Sequence, residues 1–214
     1  MINCRQLTAL SGRLAAFVLL LATAGCSVLP EPKPVQLLDP QLATPAALPA
    51  PENWSLNINR PVADPLRDSN RVLIRTRQGQ LQVHPSARWV AASPDLLRTL
   101  LVRYLRDSRA LPQTGSAAGG LDRTLDIDLR QFELVEDSNR LLAKISVEAR
   151  LYHNRSAKLL ARQLFTRQQP VSGIQPAPLV SGFEAGLQQI IPEISDWLLA
   201  YDAPLDPPGS KPRQ

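Results

Sequence analysis

The sequence predicts an α/β (α+β) fold, a single domain with a mixed, mostly antiparallel sheet and two main helices. Three observations carry this. From Leu141 to Leu151 apolar and polar residues alternate without a break, the period of a strand with one buried face. Leu97, Leu101, Tyr104 and Leu105, with Leu100 beside them, recur at helical spacing. The element order (strands, helix, three-strand meander, helix) suits a sheet that carries helices on one or both faces. Residues 54–201 are the expected domain, long enough to bury about two-thirds of its unfolded surface.

Each element has its own signals. Trp54, Leu56 and Ile58 alternate with polar residues as a first strand, which Pro61 ends. Arg71-Val72-Leu73-Ile74-Arg75 is a second, bounded by Asp68-Ser69-Asn70 and Gln78-Gly79-Gln80; Leu81 and Val83 continue the hairpin. Ala87-Arg88-Trp89-Val90 leads to the first helix, with Ser93 as N-cap, Pro94 in the first helical position and Asp95 at the positive end of the dipole. Arg98, Arg103 and Arg106 lie mostly away from its apolar stripe, and Leu111-Pro112 stops it. Gln113 to Gly120, with three glycines, is a loop or tip.

In the meander, Leu125, Ile127 and Leu129 alternate, then Phe132 and Leu134 alternate in the opposite phase. A change of phase requires an extra residue, so a β-bulge is expected near Arg130 or Gln131. Glu136 to Asn139 turns the chain into the strand Leu141–Leu151, with Lys144, Ser146, Glu148 and Arg150 outward. His153-Asn154-Arg155-Ser156 turns it again into Leu159–Thr166. The last helix carries Phe183, Leu187, Ile190, Ile191, Ile194 and Leu198 on one side, and Pro192 should kink or divide it. Residues 202–214 form a Pro-rich tail, expected to be disordered.

Before the domain lie two segments of a different kind. Residues 14–24 are apolar, preceded by Arg5 and Arg13 with no acidic residue. This run is too short to span a bilayer, which takes about 20 apolar residues, and reads as a secretory signal peptide over residues 1–25. Thr23-Ala24-Gly25-Cys26 resembles the lipobox of bacterial lipoproteins. The resemblance implies cleavage between Gly25 and Cys26, and acylation of the Cys26 thiol and of the new amine. Acyl chains contribute about 0.8 kcal/mol per buried methylene, and two membrane signals already give stable anchoring. The alternative is an ordinary signal peptide with a cysteine near its end; the position of Cys26 and the rarity of cysteine favour the lipobox. Ser27, rather than Asp, resembles an outer-membrane address. Residues 26–53 then form a lipidated, Pro-rich tether of extended polyproline character; nine of the twenty prolines fall between Ser27 and Pro65.

Composition narrows the chemistry. Cleavage removes Cys4 and acylation consumes Cys26, so no thiol remains for a disulfide, catalysis or a metal. Without the leader, 22 basic residues face 19 acidic ones, a net charge of +3, scattered without runs. This favours solvated faces and ion pairs over nucleic acid. His84 and His153 stand near strand ends outside any metal spacing, as surface or turn histidines. There is no Gly-x-Ser-x-Gly elbow, His-Glu-x-x-His motif or phosphate loop. Asp126 and Asp128 share one strand face, but beside Arg123 and Arg130 they read as a solvated charged surface, not as paired acids. Trp54, Trp89 and Trp197 read as packing residues rather than ligand platforms. No catalytic, cofactor or metal site is expected.

The order of parts resembles the ABC-type transport auxiliary lipoproteins, the PqiC-like family associated with MCE lipid-transfer proteins. The resemblance rests on Arg60-Pro61, Arg71-Val72-Leu73-Ile74, Ala87-Arg88-Trp89 and Leu129-Arg130-Gln131-Phe132-Glu133, together with the lipobox. It implies a non-enzymatic outer-membrane lipoprotein on the periplasmic face that docks onto an MCE protein. An inner-membrane ABC transporter or permease would stand behind it, with phospholipid or another apolar lipid as cargo. It also implies a possible homo-oligomeric ring. The alternative function is a lipid-binding carrier, which would need an apolar cavity wide enough for acyl chains.

Overall fold

The computed structural model describes residues 34–49, 52–115 and 121–201. The leader, Gly25 and Cys26, the glycine pair at 119–120 and the tail 202–214 lie outside the described residues. Among the described residues, eight strands and two helices follow in the order β1 (Gln36–Leu38), β2 (Leu56–Ile58), β3 (Arg71–Arg75), β4 (Leu81–Trp89), α1 (Ser93–Asp107), β5 (Thr114–Gly115), β6 (Arg123–Asp137), β7 (Arg140–His153), β8 (Lys158–Val171) and α2 (Pro176–Leu199). The fold class is the expected one, a mixed sheet with two helices, and the sheet is curled.

The long strand β6 organises it. One edge of β6 pairs antiparallel with β7 along its whole length, and β7 pairs in turn with β8. The other edge is shared, parallel, by β2 at residues 123–125 and by β3 at residues 133–135. A register shift falls between Leu129 and Gln131, where Arg130 is the extra residue. The expected bulge is therefore present. It lies between the half of β6 that takes β2 and the half that takes β3, where a bend is required.

The alternation expected for β7 holds on the core side, with Ala143, Ile145, Val147, Ala149 and Leu151 buried. Its outward side departs from expectation, since Ser146 and Glu148 are buried too. Thr166 and Arg162 of β8 reach across to hydrogen-bond them. The third meander strand is longer than expected, running through Pro170 to Val171, because β7 templates it over its full length.

In β4 the hairpin runs on to Trp89 instead of fading after Val83. Between Arg71 and Leu73 the register slips so that two steps on β3 match five on β4. Pro85, which has no N–H to offer a ladder, sits in this irregularity. The first helix begins one residue differently from expectation. Ala92 is its N-cap and Ser93 its first residue, without a side-chain cap; the Ser93 hydroxyl instead donates to the Ser69 carbonyl. Pro192 does not divide α2, which is continuous from Pro176 to Leu199.

Both helices bury their stripes in one core with the sheet. Trp89, Phe132 and Phe183, from β4, β6 and α2, meet with ring centroids 4.7–5.2 Å apart. Helix α2 comes close to the sheet because Gly182 and Gly186 stand one turn apart on its inner side. A Cβ at Gly182 would lie 2.5 Å from Val171 Cγ2, and one at Gly186 would lie 3.0 Å from Ile145 Cδ1.

The stretch read as tether is not all tether. Gln36–Leu38 adds a parallel strand to β4, with Leu38 buried beside Trp89. The chain then crosses the helices. Gln41 N–H donates to Glu184, its side chain accepts from Arg103, and Leu42 packs on the core. Leu48 and Glu52 donate to the carbonyls of Ser108 and Ala110 at the end of α1. Prolines disfavour regular structure but do not prevent docking, and apolar residues between them supply the contacts.

Candidate functional site

Gly25 and Cys26, the cleavage and acylation positions expected from sequence, lie outside the described residues. What the domain offers is a set of charged surfaces, and their geometry defines what chemistry is possible.

The first is a groove of about 520 Å³ along α1, lined by Arg98, Thr99, Val102, Arg103, Arg106, Asp107 and Gly115. Two of its three arginines are held by backbone oxygens, and Arg103 donates to the Gln41 side chain. Arg98 donates to the Ile58 carbonyl at 3.0 Å, and Arg106 sends two bonds to the Thr114 carbonyl at 3.0 and 3.1 Å. The arginines point away from the apolar stripe, as expected. The i, i+4, i+8 spacing of Arg98, Val102 and Arg106 signals a common face. That they line a concavity depends on where β2 and β5 run. The groove is a cationic, hydrogen-bonding surface suited to an anionic group, not an acyl-chain tunnel.

A second arrangement sits on the opposite side of β3 and β6 and was not anticipated. Glu133 is fully buried and accepts from Arg67 and, at 2.6 Å, from Arg75. Arg67 also donates to Asp64 at 2.5 Å. Burial works against the charge on Arg67, but the hydrogen bond it donates to Asp64 and the field of Glu133 outweigh it and hold the guanidinium more firmly protonated. On Asp64, burial alone would raise the carboxyl, yet the bonds from Arg67 bring it below the ordinary carboxylate range. Period-two reading places Glu133 outward. It is buried because the segment from Asp64 to Arg67 folds over it.

A third set lies on the outer face of the meander, where Glu148 accepts from Arg130 and from Arg162 at 2.8 Å. The Arg162 bond and the charge of Arg130 depress its carboxyl. At the surface, Arg60 bridges Asp68 and Asp95, whose hydrogen bonds raise the guanidinium.

The residues weighed for catalysis fall into structural roles. His84 is buried, against the expectation of a surface histidine. Its Nδ1 accepts from the backbone N–H groups of Ser86 and Ala87, and its Nε2 lies 2.9 Å from the Ile174 carbonyl. With Nδ1 occupied as an acceptor, Nε2 carries the proton and donates. His153 is buried too, with Nδ1 2.8 Å from the Ser156 hydroxyl in the β7–β8 turn. Asp126 accepts from Asn59, while Asp128 lies 3.5 Å from Arg130, so the two carboxylates serve different partners. Arg123, expected on a solvated face, is buried with its guanidinium 4.2 Å over the Trp54 ring. Trp54 and Trp89 are core residues and Trp197 packs edge-on to Phe165, all as expected. Among the described residues no three of His, Cys, Asp and Glu gather as metal ligands.

The comparison that decides the family is one of sequence. The pattern of the ABC-type transport auxiliary lipoprotein component matches residues 36–195. This chain belongs to that family. The match begins at β1, in accord with its place in the sheet. A protein of Xanthomonas campestris of known structure is 28% identical, covers 78% of this chain and 95% of its own, and superposes with a TM-score of 0.69. A hypothetical protein of Chlamydia trachomatis, at 10% identity, shares the fold with a TM-score of 0.53 over 70% of this chain and 98% of its own. An uncharacterized protein of Bradyrhizobium diazoefficiens is 27% identical over 169 residues, or 77% of this chain. The match spans only 45% of that relative's length.

Proposed function

We propose that this auxiliary lipoprotein is acylated on Cys26 and held on the periplasmic face of the outer membrane. There it works without catalysis as the docking component of an intermembrane lipid-transport system. Its partner is an MCE-type periplasmic protein, with an inner-membrane ABC transporter or permease beyond it and phospholipid as cargo. Family membership over residues 36–195 carries the reading, and Thr23-Ala24-Gly25-Cys26 supplies the anchor.

The surfaces favour docking over carriage. The concavity on α1 presents arginines, and the large apolar side chains of the core are closed against one another. An acyl-chain carrier needs a mostly apolar cavity. The test is Cys26→Ser in cells that depend on this protein. Incorporation of radiolabelled fatty acid should stop, uncut precursor should accumulate, and survival in bile salts should fall. Co-purification of an MCE protein with the acylated form should be lost as well. Label persisting on the variant would remove the anchor from the reading.

A further inference from the structure

Strand β1 changes what the anchor can do. If the tether ran to Trp54, the domain would drift far from the bilayer. Because Val35 and β1 belong to the folded unit, only eight residues separate it from Cys26. At full extension the nine steps from Cys26 to Val35 reach roughly 30 Å, and less with prolines at 30, 32 and 34.

The edge so constrained is apolar where it faces solvent. With Leu38 turned into the core, Val35 and Leu37 point the other way and are 56% and 66% exposed. Parallel pairing sets Leu37 beside Arg88, and Arg88 is opposed across β4 and β3 by the exposed Arg71. Val90, 49% exposed, continues the row, its N–H bonded to the Leu38 carbonyl. Asp39 is the acidic neighbour at the end of the strand. Aliphatic side chains with arginines beside them match the interface of a bilayer containing anionic phospholipid. A short leash keeps that patch at high effective concentration against the surface, so modest intrinsic affinity suffices.

We infer that the β1 edge, with Val35, Leu37 and Val90 flanked by Arg71 and Arg88, rests on the phospholipid surface that receives the Cys26 anchor. The domain is thereby oriented, not merely tethered. The inference rests on acylation of Cys26, and the experiment separates the two claims. Full-length protein carrying Leu37→Cys, Val90→Cys or Arg155→Cys is purified, labelled with an environment-sensitive fluorophore and reconstituted into vesicles of phosphatidylethanolamine and phosphatidylglycerol. Arg155, in the β7–β8 turn, lies toward the opposite side of the sheet order and serves as control. Mass spectrometry first establishes the acyl mass. On acylated protein, labels at 37 and 90 should shift to the blue and lose most of their emission to nitroxide lipids, while the label at 155 should not. Equal behaviour at all three positions overturns the orientation and leaves the anchor standing. A blue shift at 37 without lipid quenching also overturns it, because a protein surface then covers the patch. Absence of the acyl mass removes the anchor and the orientation together.

Discussion

Removing the charge of Glu133 should cost far more than breaking a surface ion pair of similar geometry. Its carboxylate is fully buried between Arg67, whose side chain is 10% exposed, and Arg75. Glu133→Gln keeps shape and volume but leaves Arg67 with only Asp64 to balance it. Breaking a buried pair in this way typically costs about 3–5 kcal/mol, because one charge remains desolvated without its partner. A domain of this size has a total stability of about 5–15 kcal/mol, so the loss is a large fraction. With a urea slope of about 2 kcal/mol/M, the midpoint should fall by roughly 2 M. The comparison is Arg60→Ala, which breaks pairs to Asp68 and Asp95 at 2.6 and 2.8 Å, all well exposed. Solvent screens such pairs, and the midpoint should move by less than about 0.5 M. Adding Arg67→Met to Glu133→Gln should restore much of the loss, since it removes the stranded cation. The assay is urea unfolding of the signal-free Cys26→Ser chain, followed by circular dichroism. Equal midpoint shifts for Glu133→Gln and Arg60→Ala would refute the claim that burial sets the cost.

Three further outcomes follow from the same structure. Ile145→Asp buries a carboxylate under Gly186 and should unfold the domain, whereas Lys144→Gln on the other face, opposite Glu133, should shift the thermal midpoint by only a few degrees; similar losses would contradict the face assignment. His84→Leu leaves the Ser86 and Ala87 N–H groups and the Ile174 carbonyl without their partner, and should cost about 2–4 kcal/mol in urea unfolding. Three carboxylates should make acid destabilise the domain below about pH 4.5. Arg67 outweighs burial to depress Asp64, Arg60 depresses Asp68 and Arg162 depresses Glu148, from ordinary values of 3.8 and 4.5. Their unfolded forms take up protons first, so this stability is full above those values and is lost as pH falls through the folded ones. A urea midpoint that rises on acidification from pH 5 to 3 would contradict that sign.

What the sequence determined by itself is what depends on neighbours along the chain. Period-two alternation located β3, β6 and β7, and the phase change at Leu129 to Phe132 located the bulge, since a pleat admits no other way to turn a side chain over. Helical spacing located α1 and the core stripe of α2. What only the tertiary structure decided depends on who lies alongside. Gln36–Leu38 has no strand signal of its own; it is a strand because β4 offers an open edge beside buried Trp89. Prolines throughout the stretch make tether the better local reading. Glu133 and His84 read as solvent-facing because their own periodicity or loop position says so. A crossing segment with Arg67 buries the first, and the second stitches an irregular β4 to the Ile174 carbonyl. The docked strand also bears on the proposed anchor, because only eight residues lie between Cys26 and Val35 in the sequence. Residues far apart in sequence supply these partners, and a carboxylate or imidazole that finds them can be buried at a position where local pattern places it in water.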